Sequence, residues 1–205
     1  MKTKHIYLFL SLLTIILFAC DPETKEEKLD SYIEAGDNAK NKNVYTDAIE
    51  YNDAIVGLQT KIVVEILKFM PMNDIDSLRK QVNIIQKEIL SSTEILGKIS
   101  CSKDQNDKFK NETILMFNCY NKLYVESWGS FLDEMDNENI DNYSDYNENI
   151  SETLNDKIYN IYMLEIEAQQ VTLDFGTAQE VFAKENDTSV DPEDHPLEEE
   201  FEKYE

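Results

Sequence analysis

The sequence predicts an all-α protein, and its composition and periodicity carry that prediction. The chain has 205 residues, of which 41% are hydrophobic, enough for one packed domain. Only five glycines and four prolines are present, too few for the many chain reversals of a sandwich, a barrel or a Rossmann sheet. Long stretches with apolar residues at three- and four-residue steps predict an antiparallel four-helix bundle.

The charge balance is strongly acidic and argues against nucleic acid as a partner. Forty-two Asp and Glu stand against 19 Lys and Arg, which gives a formal net charge of −23. Arg79 is the single arginine of the sequence. Binding to a phosphate backbone needs basic side chains that displace counterions, so no nucleic-acid partner is expected.

The first nineteen residues have the pattern of a signal peptide. Residues 1–5 are basic and precede an uncharged apolar run from Ile6 to Ala19. A membrane span needs about 20 apolar residues, so this run is too short to cross a bilayer. It has the length of a signal-peptide core, and we predict that residues 1–19 are removed.

The end of this run, Leu17-Phe18-Ala19-Cys20, resembles the lipobox of bacterial lipoproteins. Leu17, Ala19 and Cys20 match its aliphatic, small and cysteine positions. The resemblance implies cleavage before Cys20 and lipidation of that cysteine by a thioether-linked diacylglycerol and an N-acyl chain. Several acyl chains anchor a protein stably, so the expected membrane contact is through Cys20. The chain is similar to the small helical envelope lipoproteins of Gram-negative bacteria.

The residues after the lipobox bear on localisation. Asp21 directly after the cysteine resembles the inner-membrane retention signal of enteric bacteria. An acidic stretch at this place resembles the surface-export signal of other Gram-negative lineages, and Asp21, Glu23, Glu26 and Glu27 form such a stretch. We therefore expect a lipid-anchored protein of the cell envelope, at the outer membrane or cell surface rather than the inner membrane.

Three segments follow the leader. Residues 20–43 are predicted as a lipidated, charged tether with at most a helical turn or two before Gly36. Residues 44–184 are predicted as the four-helix bundle. Residues 185–205 hold ten acids, one lysine and two prolines, the composition of a disordered acidic tail.

Helix breakers and capping residues set the bounds of the bundle helices. Pro71 ends the first helix, because the residue before a proline disfavours helical geometry. Residue 73 or 74 caps the second helix, Ser102-Lys-Asp-Gln105 reads as a capping box for the third, and residue 149 or 151 caps the fourth. The helices are predicted at about residues 44–70, 74–100, 105–135 and 152–184.

No catalytic residue, metal centre or cofactor is predicted. His5 and His195 lie in the leader and the tail, which excludes a Glu-x-x-His metal site, a His-ligated haem and a histidine-activated nucleophile. The glycines are isolated, so there is no phosphate-binding glycine loop. An acidic loop without EF-hand spacing is interpreted as solvated, with weak divalent-cation binding as the alternative: Asp133, Asp136, Glu138 and Asp141.

A line of polar residues inside apolar stripes is the candidate site. Its members lie on the first and fourth bundle helices: Asn52, Gln59, Glu165, Gln169 and Thr172. A buried amide without a partner costs roughly 1–3 kcal/mol, so facing helices are expected to satisfy each other. We interpret the line as a structural network that fixes helix register. A solvent-facing edge and a small-ligand pocket are the alternatives.

Four aromatic residues share one sector of the third helix: Tyr120, Tyr124, Trp128 and Phe131. Rings at helical spacing are typical of a core, and we expect Trp128 at the edge of the sector to be partly exposed. The alternative is an exposed surface that stacks on a sugar or a partner protein.

Cys101 and Cys119 are predicted to be free thiols. Cys101 lies at the end of the second helix, whereas Cys119 lies about 14 residues into the third, some 20 Å along it at about 1.5 Å per residue. A disulfide needs Cα atoms within about 7 Å. We expect Cys119 to be largely buried and Cys101 to lie near the end of the bundle.

These features predict a non-enzymatic, lipid-anchored envelope or surface protein with a binding or structural role toward an unidentified protein or small molecule. The alternative is a small-ligand-binding or sensory bundle that uses the polar line. A cavity bordered by the polar line would favour the ligand-binding or sensory function. An exposed patch around Trp128 would favour the envelope protein with a binding or structural role.

Overall fold

The structure, a computed structural model, describes residues 22–140 and 151–188, and most of them are helical, as predicted. The predicted signal peptide, Cys20 and residues 189–205 of the predicted tail lie outside the described residues. The helices of the described part are α1 (Pro22–Asn38), α2 (Ala48–Phe69), α3 (Ile75–Lys98), α4 (Lys108–Tyr120, continued by a π-helical segment, Asn121–Ser127, and by Trp128–Asn137) and α5 (Glu152–Glu185). Two short parallel strands, β1 (Val44–Tyr45) and β2 (Ser100–Cys101), pair with each other.

Helices α2 to α5 occupy the four predicted intervals, and capping residues explain most of their starts. Asp74 and Ser151 each accept a hydrogen bond from the backbone N–H three residues on, which confirms both as caps. Asp47 caps α2 in the same way. Helix α2 begins later than predicted because Val44 and Tyr45 form strand β1.

The residue that caps the start of α4 was predicted wrongly, although a helical turn does begin at the predicted Gln105, as the 3₁₀ segment Gln105–Asp107. Ser102 makes no capping hydrogen bond within the described residues. Asp104 takes that role: its carboxylate accepts hydrogen bonds from the backbone N–H of Phe109, at 3.0 Å, and of Lys110, at 3.1 Å. Residues 106–107 have left-handed φ values of 58° and 53°, which turn the chain so that a residue before the helix reaches its first free N–H groups.

The structure also differs from the prediction at residues 22–38, where the expected tether is helix α1. Helix α1 packs on α2 through a contact between two glycines. A Cβ atom on Gly57 would lie 2.2 Å from the carbonyl oxygen of Tyr32, and one on Gly36 would lie 2.7 Å from the carbonyl carbon of Gly57. Gly36 was interpreted as the end of a helical turn, but it lets two helix backbones touch.

Contacts between helices show their relative directions. Gln81 of α3 donates to the carbonyl of Glu65 in α2 at 2.9 Å, while β1 at the start of α2 pairs with β2 after α3, so α2 and α3 are antiparallel. Helices α4 and α5 are antiparallel too, since they join through the pairs Tyr120–Thr172 and Ser127–Asn160. Among the described helices, none carries an apolar stretch long enough to span a bilayer.

Five aromatic rings close the end of the core where α5 ends: Tyr45, Tyr51, Phe109, Phe175 and Phe182. The ring centroids of Phe182 lie 5.7 Å from Tyr51 and 5.4 Å from Phe109. All five rings are buried, and centroid separations of this size are favourable for aromatic pairs. We call this group the aromatic cluster.

Candidate functional site

Asn52 of the polar line connects α2 directly to α5. The side-chain oxygen of this half-buried amide accepts a hydrogen bond from Gln179 Nε2 at 2.9 Å, and its nitrogen donates to Asp53 at 3.3 Å. Gln179 is buried and was not among the predicted residues of the line. Asn52 therefore meets α5 about two helical turns further along than Thr172, the last residue of the predicted line.

Thr172 and Gln59 meet around a tyrosine of α4. The hydroxyl of Tyr120 lies 3.1 Å from Thr172 Oγ1, which donates to the carbonyl of Ala168 at 2.8 Å, so Tyr120 donates to Thr172. Gln59 interacts with the same hydroxyl, and its Nε2 lies 3.7 Å from Met116 Sδ. Burial raises the pKa of Tyr120 to about 12, so the hydroxyl keeps its proton. These residues link three helices.

Glu165 and Gln169, the remaining members of the line, are not joined to this network. Within residues 28–140 and 151–188 neither side chain makes a hydrogen bond or an ion pair. Burial raises the pKa of Glu165 to about 7. Burial, together with the charge of Glu165, raises the pKa of Tyr124 well above its ordinary value. Tyr124 lies on the π-helical segment of α4, and such segments are frequent at functional sites.

A half-open cavity of about 220 Å³ lies between the end of α1 and the last turns of α3. The charged residues in its lining, Lys40, Glu94 and Lys98, are engaged in ion pairs: Lys98 binds Glu94 at 2.5 Å, and Lys40 binds Asp37 at 2.8 Å. None of the five predicted residues of the polar line contributes to this cavity. The cavity therefore gives no support to a ligand pocket at the line.

The aromatic sector of α4 belongs to the core, as predicted. Tyr120, Tyr124 and Phe131 are buried, and Trp128 is half-buried. The Trp128 ring packs on Phe69, with centroids 4.9 Å apart. These contacts leave no exposed ring surface of the kind considered for sugar stacking.

The acidic residues at the end of α4 are engaged within the protein. Arg79 of α3 donates to Asp133 at 2.5 Å and to Asp136, and Glu138 accepts a hydrogen bond from Ser151. Asp141 lies outside the described residues. In the described part of the chain, no group of three or more His, Cys, Asp or Glu is placed to hold a metal ion.

Cys101 and Cys119 are both free and both buried, which confirms the prediction from helix geometry. Burial raises the pKa of the Cys119 thiol to about 11, so the thiol stays protonated and unreactive at neutral pH. Cys101 lies in β2, beyond the end of α3. The two residues behave as small apolar side chains.

The most distinctive surface was missed by the sequence analysis and lies on the outer side of α5. Five large apolar side chains are exposed on α5, and besides Tyr162 (37%) four of them follow one line: Tyr159 (65%), Met163 (45%), Ile166 (43%) and Leu173 (43%). Ile161, Ala168 and Phe175 of the same helix are buried in the core. Ile166 follows Ile161 by five residues, which on a helix of 3.6 residues per turn is about 140° around the axis. We call the four residues of this line the outer stripe.

A signal for the outer stripe was present in the sequence. Tyr159, Ile166 and Leu173 recur at seven-residue steps, and so do the core residues Ile161, Ala168 and Phe175. The core residues alone account for one apolar face of α5. The residues Tyr159, Ile166 and Leu173 form a second apolar face that this single face does not explain. A helix with two opposite apolar faces contacts something on both sides.

No family model, curated protein or solved structure matches this chain. The function of this chain therefore has to be inferred from the chemistry of its own residues. Of the two surfaces considered, the polar line is mostly bonded within the protein, whereas the outer stripe is exposed.

Proposed function

We propose that this protein is a lipid-anchored component of the bacterial cell envelope that acts by binding another protein and has no enzymatic activity. Residues 1–19 are a removed signal peptide, and Cys20 carries the acyl chains. Helices α2 to α5 form an antiparallel four-helix bundle, followed by a disordered acidic tail, at the outer membrane or cell surface. The lipobox residues Leu17, Ala19 and Cys20 support the anchor.

The outer stripe of α5 is the observation that supports a binding role. Contiguous exposed apolar surface on a soluble domain marks an interaction site. Scattered apolar residues on a surface are ordinary, but these four follow one side of one helix over fifteen residues, from Tyr159 to Leu173. An anchored domain with such a stripe is suited to hold a partner at the membrane surface.

Mass spectrometry of the protein from membranes tests the anchor. We expect a chain that begins at Cys20 and carries diacylglycerol and an N-acyl group. The Cys20→Ser variant should be unprocessed or soluble. An unmodified Cys20 in the wild type would contradict the anchor, and protection of the chain from protease added to whole cells would contradict surface display.

Crosslinking in intact cells tests the binding role. A photoreactive amino acid at position 170, which lies on the outer side of α5 between Ile166 and Leu173, should capture one partner. The same group at position 87, an exposed position on α3, is the control. The Ile166→Ser change should weaken capture at position 170. Equal capture with and without Ile166→Ser would reject the binding role of the outer stripe.

A further inference from the structure

Acidic residues accompany the outer stripe along α5. Asp156, Glu167, Asp174 and Glu185 are exposed and recur at steps of eleven and seven residues, which keeps them on one line of the helix surface. We call these four residues the acid row. It runs beside the outer stripe on the same outward half of the helix.

The acid row has little internal compensation. Glu167 approaches Lys122 of α4 at 4.0 Å, and Asp174 accepts a hydrogen bond from Gln170 at 2.9 Å. Asp156 and Glu185 make no ion pair within residues 28–140 and 151–188. An exposed pair at 4.0 Å neutralises little charge in water. A partner would therefore meet an apolar seam with a negative edge.

The repeat of the seam favours a helix as its partner. Tyr159, Ile166 and Leu173 follow a seven-residue repeat, the spacing at which a second helix packs its own apolar ridge. From Tyr159 to Leu173 the helix advances by fourteen residues, which at about 1.5 Å each makes a seam of about 21 Å. This length corresponds to about two heptads of a helix laid along α5.

We propose that the outer stripe and the acid row together bind a cationic amphipathic helix of another protein. This inference rests on the proposed binding function and specifies the chemistry of the partner. The apolar ridge of the partner covers Tyr159, Ile166 and Leu173, while its lysine or arginine residues face the acid row. Such charge complementarity raises the rate of encounter and fixes which side of the partner faces α5.

Charge argues against the two occupants that this chain itself supplies. A second copy would bring another acid row to the same seam, on a chain with a net charge of −23. Residues 189–205 contain eight acids and one lysine, so the tail would bring like charge too. Like charges across an interface disfavour association.

The test uses the full chain in zwitterionic lipid nanodiscs, with empty nanodiscs as the blank. The probe is a fluorescent synthetic helix of three heptads, with leucine along one side and lysine on both flanks. A matched probe carries glutamate in place of every lysine. Fluorescence anisotropy should give saturable binding of the lysine probe that weakens as salt is raised, and no binding of the glutamate probe.

Two sets of variants locate the binding. The double change Ile166→Ser and Leu173→Ser should weaken binding of the lysine probe at least about tenfold, and Glu167→Gln with Asp174→Asn should weaken it several-fold and reduce its salt dependence. The control pair, Ile84→Ser with Leu90→Ser on α3, removes apolar side chains that are at least as exposed and should bind as the wild type does.

Three results would overturn the inference: no binding of the lysine probe, equal binding by the outer-stripe variants, or equal binding of the glutamate probe. Self-association in sedimentation that depends on Ile166 would assign the surface to a second copy. A failed probe with Ile166-dependent crosslinking in cells rejects the cationic helix but keeps the binding function. If the lysine probe fails to bind and crosslinking in cells does not depend on Ile166, the binding function itself is rejected.

Discussion

The region around Asp104 and the middle of α5 handle buried polar groups in opposite ways. The Asp104 carboxylate is buried and accepts three hydrogen bonds, from the Tyr51 hydroxyl at 3.2 Å and from two backbone N–H groups of α4. In the middle of α5, neither Glu165 nor the adjacent Tyr124 makes a hydrogen bond within the described residues. The fold supplies hydrogen-bond partners for the Asp104 carboxylate, whereas within the described residues it supplies none for the Glu165 carboxyl or the Tyr124 hydroxyl.

Apolar side chains also differ between the two regions, being buried near Asp104 and exposed on the outer side of α5. The aromatic cluster beside Asp104 is buried against itself, whereas the outer stripe of α5 is exposed. Unsatisfied polar groups and exposed apolar groups lower stability, so their presence in one region indicates that the region serves something other than stability. Substitutions should therefore affect mainly stability in the first region and mainly binding in the second.

The largest loss of stability is expected from Asp104→Ala. The change removes three hydrogen bonds and leaves the Tyr51 hydroxyl and two N–H groups buried without an acceptor, which costs about 3–5 kcal/mol. The control Asp30→Ala changes an exposed carboxylate on α1 and should alter stability by less than about 0.5 kcal/mol. Chemical denaturation of both variants measures this difference, and equal free energies of unfolding would contradict the role of Asp104.

The contact between α1 and α2 should be nearly as sensitive. In Gly57→Ala the new methyl group would lie 2.2 Å from the carbonyl oxygen of Tyr32, so α1 must move away, at an expected cost of about 2–3 kcal/mol. Gly176→Ala is the control, because a Cβ there meets nothing within 4 Å, and it should stabilise α5 by up to about 1 kcal/mol.

Denaturation and limited proteolysis distinguish these glycine variants. Gly57→Ala should expose residues 22–38 to protease before the rest of the domain unfolds. If both variants gained or lost the same stability, the close approach of the two backbones would be contradicted.

The sequence predicted those features that depend on neighbouring residues. Asp74 and Ser151 predict helix starts because a cap accepts hydrogen bonds from N–H groups two or three residues away. Pro71 predicts the end of α2 because a proline disfavours helical geometry in the residue directly before it. The free state of Cys101 and Cys119 followed from helix rise alone.

The missed features depend on residues far apart in the chain. Gly36 by itself resembles a helix stop, and only its contact with Gly57 in α2 shows it to be the site of a crossing. Asn52 needed an amide partner, but 127 positions separate it from Gln179, and no local pattern selects that residue. The outer stripe was overlooked because the core residues of α5 already satisfied the helical periodicity.

A smaller, pH-dependent effect is expected at Glu165. Burial raises its pKa from 4.5 to about 7. The folded protein then holds this proton more tightly than the unfolded chain does, so the free energy of unfolding falls as the pH rises from about 4.5 to about 7 and remains lowered above that. Glu165→Gln removes the charge and should stabilise the protein by about 1–3 kcal/mol at pH 8 and by little at pH 4.

The exposed Glu180→Gln on the same helix is the control for Glu165. Its free energy of unfolding should differ from the wild type by less than about 0.5 kcal/mol at either pH. A pH-independent effect of Glu165→Gln would mean that the carboxyl is charged in the folded state at little cost, and the contrast with Asp104 would fail.

The smallest effect on stability is expected from Ile166→Ser on the outer stripe. Its matched change, Ile161→Ser, lies on the core side of the same helix, where the side chain is only 6% exposed compared with 43% for Ile166. Ile161→Ser should lower the free energy of unfolding by about 2–4 kcal/mol, because it removes buried apolar contacts and buries a hydroxyl. Ile166→Ser should lower it by no more than about 0.5 kcal/mol, since the side chain gains little from folding. Chemical denaturation of the two variants at equal pH and salt compares these losses directly. If Ile166→Ser proved as destabilising as Ile161→Ser, the outer stripe would have to be covered by the chain itself, and a surface that folding already covers has no partner left to bind.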